Sequence, residues 1–432
     1  MLPASAHGTA GRVADRLAER LGLAGLGLFA FGYVGGRALA NIGLGLLLLA
    51  FAATCAGDWR RVAADRLVRL GLVWIGVVTL LAVRGAALYP DVAAHQYQSL
   101  VELWSFAFVP LVAAATRGRT TRVVATLLAA LAGVLYKLAR DVVLGVGPPD
   151  HYDDLALGVG RNLAVLFIDV GAVGCVLMLF ALFEAPHWSR ARRGAAGLAS
   201  ATALAALLLA WAAATSRTSL AVLPLVLAGV LAGRLLGDRR VLGLGLVLGL
   251  ILLAVAALNK ERIMLEAFKD GSTWAAIAAG DPAAVPRDTA TGLRFHMWHL
   301  AWENWRQHPL LGVGPSVSHL FERDPSRSFL AIYNQYHSGY VELLLRSGLV
   351  GAGFYLAAAW LVWRTALQAV RAGRMPRALF ELLMAGFAIF AALNFTNSIL
   401  FFQQGWQFIV LFGGLARGYA WAAPPPPAGE NP

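Results

Sequence analysis

Long apolar runs recur along this chain and limit what it can fold into. Twelve segments approach the roughly 20 residues that a helix needs to cross the hydrocarbon of a bilayer. The runs lack the alternation of barrel strands, so we expect helices as the spanning elements. Charged residues make up 14% of the chain, against roughly 25% in a soluble domain. The sequence therefore predicts an all-α, polytopic membrane protein with about 12 transmembrane helices.

The apolar runs also divide the chain into regions. The predicted spans are 21–36, 38–56, 68–84, 99–116, 121–139, 164–184, 196–214, 219–236, 240–258, 338–363, 378–396 and 399–420. We predict helices 1–9 within residues 1–258, a long loop over 259–337, helices 10–12 within 338–420, and a disordered cytoplasmic tail over 421–432. No A-x-A-like cleavage site follows the first run, so we expect a span there and not a signal peptide.

Arginine is concentrated in every second connection between the predicted spans. The connections after spans two, four, six, eight and ten are basic, and so is the stretch before span one. Short cytoplasmic loops of membrane proteins carry this excess, so both termini are assigned to the cytoplasm. The net charge of +12 is then mainly a topology signal. It does not indicate nucleic acid, because no basic cluster is interleaved with stacking aromatics.

The long loop falls on the opposite side and contains most of a polar stretch, residues 287–346, which continues into span ten. Trp298, Trp302 and Trp305 recur there at helical spacings and predict an amphipathic helix near 293–307. These tryptophans fit an interfacial aromatic belt, with substrate stacking as the alternative.

Isolated basic residues gather on the same side, where the topology does not require them. They are Arg217 between spans seven and eight, Arg294 in the amphipathic helix, Lys137 and Arg140 ending span five, and Arg161 beginning span six. Each alone could snorkel to the interface. Together they predict a cationic basin at the level of the lipid headgroups. A guanidinium group fits phosphate bidentately, so a phosphate-bearing ligand is expected.

His337 is the candidate general base, because it lies where the long loop re-enters the membrane. Imidazole has an unperturbed pKa near 6.5 and can accept a proton at ordinary pH. Tyr336 and Tyr340 flank it and are candidates for substrate binding or for positioning it. A histidine that caps a helix or contacts headgroups is the alternative interpretation.

Other chemistries have weaker signals. His296, His299 and Glu303 share one helical face and could ligate zinc, but no HExxH motif accompanies them and a solvated polar face explains the spacing as well. The sequence contains no P-loop, no GxGxxG after a strand and no nucleophile elbow, which argues against nucleotide-driven chemistry.

The motifs of this region resemble those of the O-antigen ligase and O-antigen polymerase superfamily. They are Ser216-Arg217-Thr218-Ser219, Arg294-x-x-x-Trp298-x-x-Ala301, Pro309-Leu310-Leu311-Gly312-Val313-Gly314, and His337-Ser338-x-x-Val341-x-x-Leu344 followed by Gly348 and Gly351. The resemblance covers roughly residues 215–351. The number of spans and the place of the long loop agree with the ligase branch.

The resemblance implies a metal-independent, cofactor-free glycosyl transfer at the periplasmic face of the bacterial inner membrane. The donor would be O-antigen on undecaprenyl diphosphate, and the acceptor a sugar hydroxyl of lipid A–core oligosaccharide. His337 would deprotonate this hydroxyl, and Arg217 and Arg294 would bind the diphosphate and stabilise the leaving group, with inversion at the anomeric carbon. Lys137 and the pair Arg140 and Arg161 are candidates for further diphosphate contacts on physical grounds only.

Three alternatives stay open. An O-antigen polymerase would use the same donor, but such enzymes tend to have two sizeable periplasmic loops, and the connection between spans seven and eight is short. A protein-directed oligosaccharyltransferase of the same superfamily is the second. A transporter is the third, although transporters tend to place functional charges near the midplane of repeated halves, and we find no clear repeat.

Overall fold

Helices make up nearly all of the computed structural model, which describes residues 9–57, 59–143, 161–183, 188–214, 217–235, 249–250, 257 and 260–422. No strand occurs within these ranges. The α-helices are α1 (Thr9–Gly35), α2 (Arg37–Gly57), α3 (Trp59–Ala64), α4 (Arg66–Leu88), α5 (Ala93–Gln98), α6 (Leu100–Leu103), α7 (Val109–Thr116), α8 (Thr120–Val143), α9 (Arg161–Phe183), α10 (Arg190–Ala214), α11 (Arg217–Leu235), α12 (Lys260–Ala278), α13 (Ala290–Trp305), α14 (Gly339–Arg371), α15 (Arg377–Leu393) and α16 (Gln403–Arg417).

Seven helices of the described chain are long and apolar enough to cross a membrane. They lie within α1, α2, α4, α8, α9, α10 and α14. This confirms an all-α polytopic membrane protein. Four further predicted spans, 99–116, 219–236, 378–396 and 399–420, correspond to shorter or broken helices. The predicted span 240–258 lies outside the described residues except at three positions, so the count of twelve stays a prediction.

The predicted span 99–116 is broken into α6, a 3₁₀ turn at Ser105–Phe108, and α7. Pro110 stands in the first turn of α7. Its missing N–H is tolerated in a first turn, but a proline at this position would interrupt a helix that continued from α6. The carbonyl of Leu103 at the break accepts hydrogen bonds from Trp74 Nε1 at 2.6 Å and from the Tyr355 hydroxyl at 3.1 Å. These side chains from α4 and α14 satisfy the carbonyl that the break exposes.

A large apolar core joins the membrane helices, with α1 packed on α2 and α8, and α9 packed on α10 and α15. Phe29, Trp74 and Phe408 are among its fully buried side chains. Burying aromatic rings of this size contributes a large share of packing energy. The core fixes the helix ends from which the loop and the candidate site extend.

α14 is interrupted at Gly348, whose φ of +61° and ψ of −160° are not helical. The loop 309–314 lies against this break. Backbone N–H groups of Leu349 and Val350 donate to the carbonyls at positions 309 and 310, and those at 313 and 314 donate to the carbonyls of residues 345 and 346. A Cβ at Gly348 would lie 2.3 Å from Leu310, so only glycine fits. The motif at 309–314 therefore docks the loop onto α14.

The long loop has a small apolar core of its own. Met297 and Leu300 of α13 pack there with Phe321, Leu330 and Tyr336. The helix expected near 293–307 is confirmed as α13. Met297 and Leu300 hold α13 beside the start of α14 through this core, whereas Trp298 and Trp302 on the same helix are exposed.

Candidate functional site

His337 has a backbone conformation that non-glycine residues seldom adopt, with a φ of +50°. Such a residue costs on the order of 1–3 kcal/mol and persists only where its surroundings hold it. Trp298 Nε1 donates to the carbonyl of Tyr336 at 2.9 Å on one side. On the other side the Gly339 N–H donates to the carbonyls of Asn394 and Asn397, at 2.9 and 3.0 Å. The strained turn is thus fixed from α13 and from the end of α15.

The imidazole of His337 is held in its neutral form. Burial, together with the nearby charge of Arg294, lowers the pKa of His337 to about 4. Its Nδ1 atom is buried and has no hydrogen-bond partner in the part of the chain that the structure describes. A neutral imidazole is the form that can accept a proton, so the environment suits a general base.

The two arginines of the sequence motifs belong to different helices. Arg294 is half-buried on α13, close enough for its charge to act on His337. Arg217 begins α11, but its side chain lies outside the described residues. The next residue, Thr218, places its hydroxyl 2.7 Å from that of Thr396, in the same segment that accepts the Gly339 N–H. The first turn of α11 is therefore anchored at the segment that fixes His337.

The other basic residues are not tied to this turn by any contact within the described ranges. Lys137 is buried on α8, where its Nζ atom lies 2.5 Å from Asp141 Oδ2. Arg140 is half-buried in the same last turns of α8. Arg161 begins α9, and its side chain falls outside the described residues. Their diphosphate contacts stay a prediction.

The flanking tyrosines have packing partners. Tyr336 is fully buried, and its ring stacks on Phe321 with centroids 4.4 Å apart. A direct substrate contact, expected from the sequence, would require this loop core to open. Tyr340 is 38% exposed, and its hydroxyl donates to the carbonyl of Ala391 at 2.8 Å. Both tyrosines brace the turn that presents His337, which accounts for their place beside it.

The possible zinc trio is divided among other partners. His296 Nε2 lies 3.1 Å from the carbonyl of Val285. Glu303 accepts from Arg327 at 2.6 Å, which lowers the pKa of the Glu303 carboxyl. Arg327 also approaches His299 Nδ1 at 3.2 Å. No group of three metal-ligating side chains occurs in the described part of the chain. His299 and Glu303, considered above as possible zinc ligands, thus connect α13 to Arg327.

A buried ion network lies beneath His337 and was missed by the sequence analysis. Arg346 Nη2 donates to Glu342 Oε1 at 2.5 Å, and Arg346 Nη1 donates to Glu102 Oε2 at 2.5 Å and to the Pro315 carbonyl at 2.6 Å. Glu342 Oε2 accepts from the Tyr336 N–H at 3.4 Å. The network thus connects α14, α6 and the 309–315 loop to the residue before His337. Two charges four residues apart inside a predicted span were its signal.

A second buried acid lies below the first turn of α11. The Ser219 hydroxyl is 2.8 Å from both carboxyl oxygens of Asp169. Trp211 Nε1 donates to the Ser219 hydroxyl at 2.9 Å. This contact fastens α9, α10 and α11 together two residues after Arg217. An acidic residue within the predicted span 164–184 was the available signal.

The geometry brings His337, Arg294 and the start of α11 together. All three lie within a segment that resembles a known family. The family model described as O-Antigen ligase matches residues 201–356. This match supports O-antigen ligase superfamily membership. The resemblance drawn from the motifs is thereby confirmed at the level of the superfamily. A comparison with curated proteins finds no match. The superfamily and the apolar helices together indicate a multi-pass membrane protein of the glycosyltransferase type.

Proposed function

We propose that this protein transfers O-antigen polysaccharide from undecaprenyl diphosphate to a sugar hydroxyl of lipid A–core oligosaccharide, at the periplasmic face of the inner membrane. One observation carries the proposal: a strained, neutral histidine stands beside Arg294, at a turn held by the same segment that anchors the first turn of α11. A neutral imidazole beside a guanidinium group supports a general base next to a group that suits phosphate. The superfamily match supports the substrate classes of this proposal.

The transfer needs one base and a stabilised leaving group. His337 accepts the proton of the acceptor hydroxyl while its oxygen attacks the anomeric carbon of the donor. The bond from that carbon to the diphosphate oxygen breaks, and its electron pair leaves with the diphosphate. Arg294 and Arg217 stabilise the charge that develops there, in the role that a divalent ion plays elsewhere. Attack opposite the leaving group inverts the anomeric centre.

The lowered pKa of His337 fits a base that is activated by the donor. An imidazole with a pKa of about 4 is mostly neutral at neutral pH but is a weak base. A bound diphosphate would offset the charge of Arg294, which is one cause of the lowered value. Donor binding would therefore raise the pKa of His337 toward neutrality, where general-base catalysis is most effective.

An apolar cavity of about 520 Å³ supports a lipid-linked donor. It lies among α8, α9, α10, α15 and α16, and its lining includes Val134, Phe167 and Phe412. Lys137 follows Val134 by one helical turn, and Arg161 precedes Phe167 by less than two turns. In the proposal, part of the prenyl chain occupies this cavity, and these two basic residues lie toward its diphosphate end.

The ligase assignment is favoured over a polymerase by the junction of α10 and α11. α10 ends at Ala214 and α11 begins at Arg217, which leaves no room for a sizeable periplasmic loop between these two helices. A polymerase would use the same donor but a second lipid-linked glycan as the acceptor.

Purified protein in detergent, given the lipid-linked donor and lipid A–core, is expected to form conjugated lipopolysaccharide. A transporter would form none. Deletion of the gene is expected to remove the long-chain ladder from a lipopolysaccharide gel while polymer accumulates on the lipid carrier. A ladder replaced by a single repeat on the core would instead assign the protein as a polymerase and overturn the ligase proposal.

A further inference from the structure

A polar hollow of about 440 Å³ opens at the end of the bundle opposite His337. Its lining includes Arg61 and Arg66 from α3 and α4, Arg364 from α14, and Arg417 from α16. Asp65 is the acidic residue in this lining. The hollow therefore collects four arginines around one carboxylate.

The hollow is remote from the candidate site. α4 runs from Arg66 at the hollow to Leu88, a rise of about 35 Å over its length. The next residue, Tyr89, contacts His319 of the long loop, with ring centroids 4.6 Å apart. The hollow and His337 thus lie at opposite ends of the same helices. The distribution of arginine assigns the hollow to the cytoplasmic side.

The single acid of the hollow is already engaged. Asp65 Oδ1 caps α4 by accepting from the backbone of Leu67 and Val68. Asp65 Oδ2 accepts from Arg417 Nη2 at 3.0 Å and from Trp421 Nε1 at 2.9 Å. Trp421, at the start of the tail expected to be disordered, is buried in this contact. The carboxylate therefore offsets Arg417 and leaves the rest of the hollow cationic.

Arg66 and Arg364 border the hollow from α4 and α14. Both are exposed, and neither forms an ion pair with an acidic side chain of the described residues. Two guanidinium groups on neighbouring helices present several N–H donors to the same space. Phosphate oxygens are the acceptors that this planar, bidentate geometry suits.

An apolar groove continues from the same place. Arg66 also lines a second hollow of about 380 Å³, together with Arg69, Leu70, Val73 and Phe354. Val73 is 58% exposed and lies two turns along α4 from Arg66, toward the middle of the bilayer. A cationic hollow at the headgroup level thus passes into an apolar strip between α4 and α14.

We propose that this paired hollow and groove is a binding site for an anionic glycerophospholipid of the cytoplasmic leaflet. The phosphate headgroup lies between Arg66 and Arg364, and an acyl chain follows Leu70, Val73 and Phe354. Arginines that only set the topology need not lie close to one another, whereas these line one hollow. A soluble phosphate would use the hollow but would leave the adjoining groove without a function. Basic pockets on the cytoplasmic side of membrane helices suit anionic headgroups.

The test uses full-length, delipidated protein in detergent, with binding of long-chain phosphatidylglycerol followed by native mass spectrometry. The double variant Arg66→Gln/Arg364→Gln is expected to bind about thirtyfold more weakly, because each arginine contributes roughly fivefold at such a surface. The matched control Arg190→Gln/Arg192→Gln removes the same charge from exposed positions at the start of α10, and we expect it to bind like wild type. Phosphatidylcholine is expected to bind weakly to all three proteins.

A separate variant tests the groove. Val73→Trp should fill the exposed groove and weaken binding of long-chain phosphatidylglycerol, while the temperature of unfolding stays at the wild-type value. Equal binding by wild type and the double variant would overturn the proposal. Glycerol phosphate that displaces phosphatidylglycerol at equal concentration would also overturn it, because the site would then bind soluble anions without using the groove.

Discussion

At the His337 end of the bundle, Arg346 is buried among fixed partners, whereas at the opposite end Arg66 and Arg364 are exposed. Arg346, which is 6% exposed, is held by two carboxylates and a carbonyl. Arg66 and Arg364 instead border open space. The role of the buried arginine therefore depends on the exact position of its side chain, whereas the role of the exposed arginines depends mainly on their total charge. Single substitutions should therefore have large effects at the His337 end and small effects at the other.

Replacing His337 should have the largest effect on activity. His337→Gln keeps a hydrogen-bonding side chain but cannot accept a proton, and a positioned base contributes roughly 10²–10⁴ in rate. We expect a loss of this size in single-turnover ligation by folded, purified protein. His95→Gln, which changes an exposed histidine next to α4, serves as the control and should retain wild-type turnover. Near-normal turnover by His337→Gln would leave His337 with a structural role only.

The buried ion network should give the largest effect on stability. Arg346→Met leaves Glu342, which is 1% exposed, without its cation, and breaking a buried pair costs roughly 3–5 kcal/mol. Arg377→Met breaks a pair with Glu381 at the same four-residue spacing, but Arg377 is 68% exposed, so we expect a change of less than about 1 kcal/mol. Thermal unfolding in detergent compares the two. Equal unfolding temperatures for both variants would contradict a stabilising role of the network.

Much of the fold follows from local sequence, but the site does not. The apolar length of α1, α2 or α9 is a property of each segment alone, so its span can be recognised without the rest of the chain. The break in α14 at Gly348 depends on hydrogen bonds to residues 309–314. These residues lie outside the apolar run of α14 and carry no periodic signal. The span pattern therefore predicts α14 but not its interruption.

The same limit applies to individual site residues. His337 was predicted from its place at a membrane boundary, and its neighbour Arg294 from an unexpected charge. Tyr336 looked equally available, because nothing in the local sequence shows that Phe321 stacks on it. Asp169 and Arg346 were visible only as charges inside apolar runs. Their roles depend on Ser219 and Glu102, partners that only the folded chain identifies.

Replacing the arginines of the site should give the next-largest loss of activity. Arg294→Lys and Arg217→Lys keep a positive charge but lose the planar pair of donors that fits phosphate. We expect a rate loss of roughly 10²–10³ for each Arg→Ala change, with only partial recovery in the lysine variants. The measurement is kcat/KM with the lipid-linked donor. Arg192→Ala at the opposite end is the control. Wild-type kcat/KM in both alanine variants would remove the diphosphate role.

The pH dependence should give the smallest effect, and it separates the two causes of the lowered pKa of His337. The base acts in its neutral form, so activity is lost as the pH falls through the pKa of His337. An imidazole with the usual value near 6.5 would lose about thirtyfold in activity by pH 5, whereas one with a pKa of about 4 would lose less than twofold. We therefore expect kcat/KM of the wild type to be nearly flat from pH 7 to pH 5.

Removing the charge of Arg294 should shift this profile. Arg294→Met takes away the electrostatic cause but leaves the burial, so the acid limb of the residual kcat/KM should move to higher pH without reaching the value of a free imidazole. The conservative variant Arg294→Lys keeps the charge and should keep the wild-type limb, although its turnover is lower. An acid limb near pH 6.5 in the wild type, unchanged in Arg294→Met, would show that neither burial nor Arg294 acts on the titrating group. That result would contradict the lowered pKa of His337.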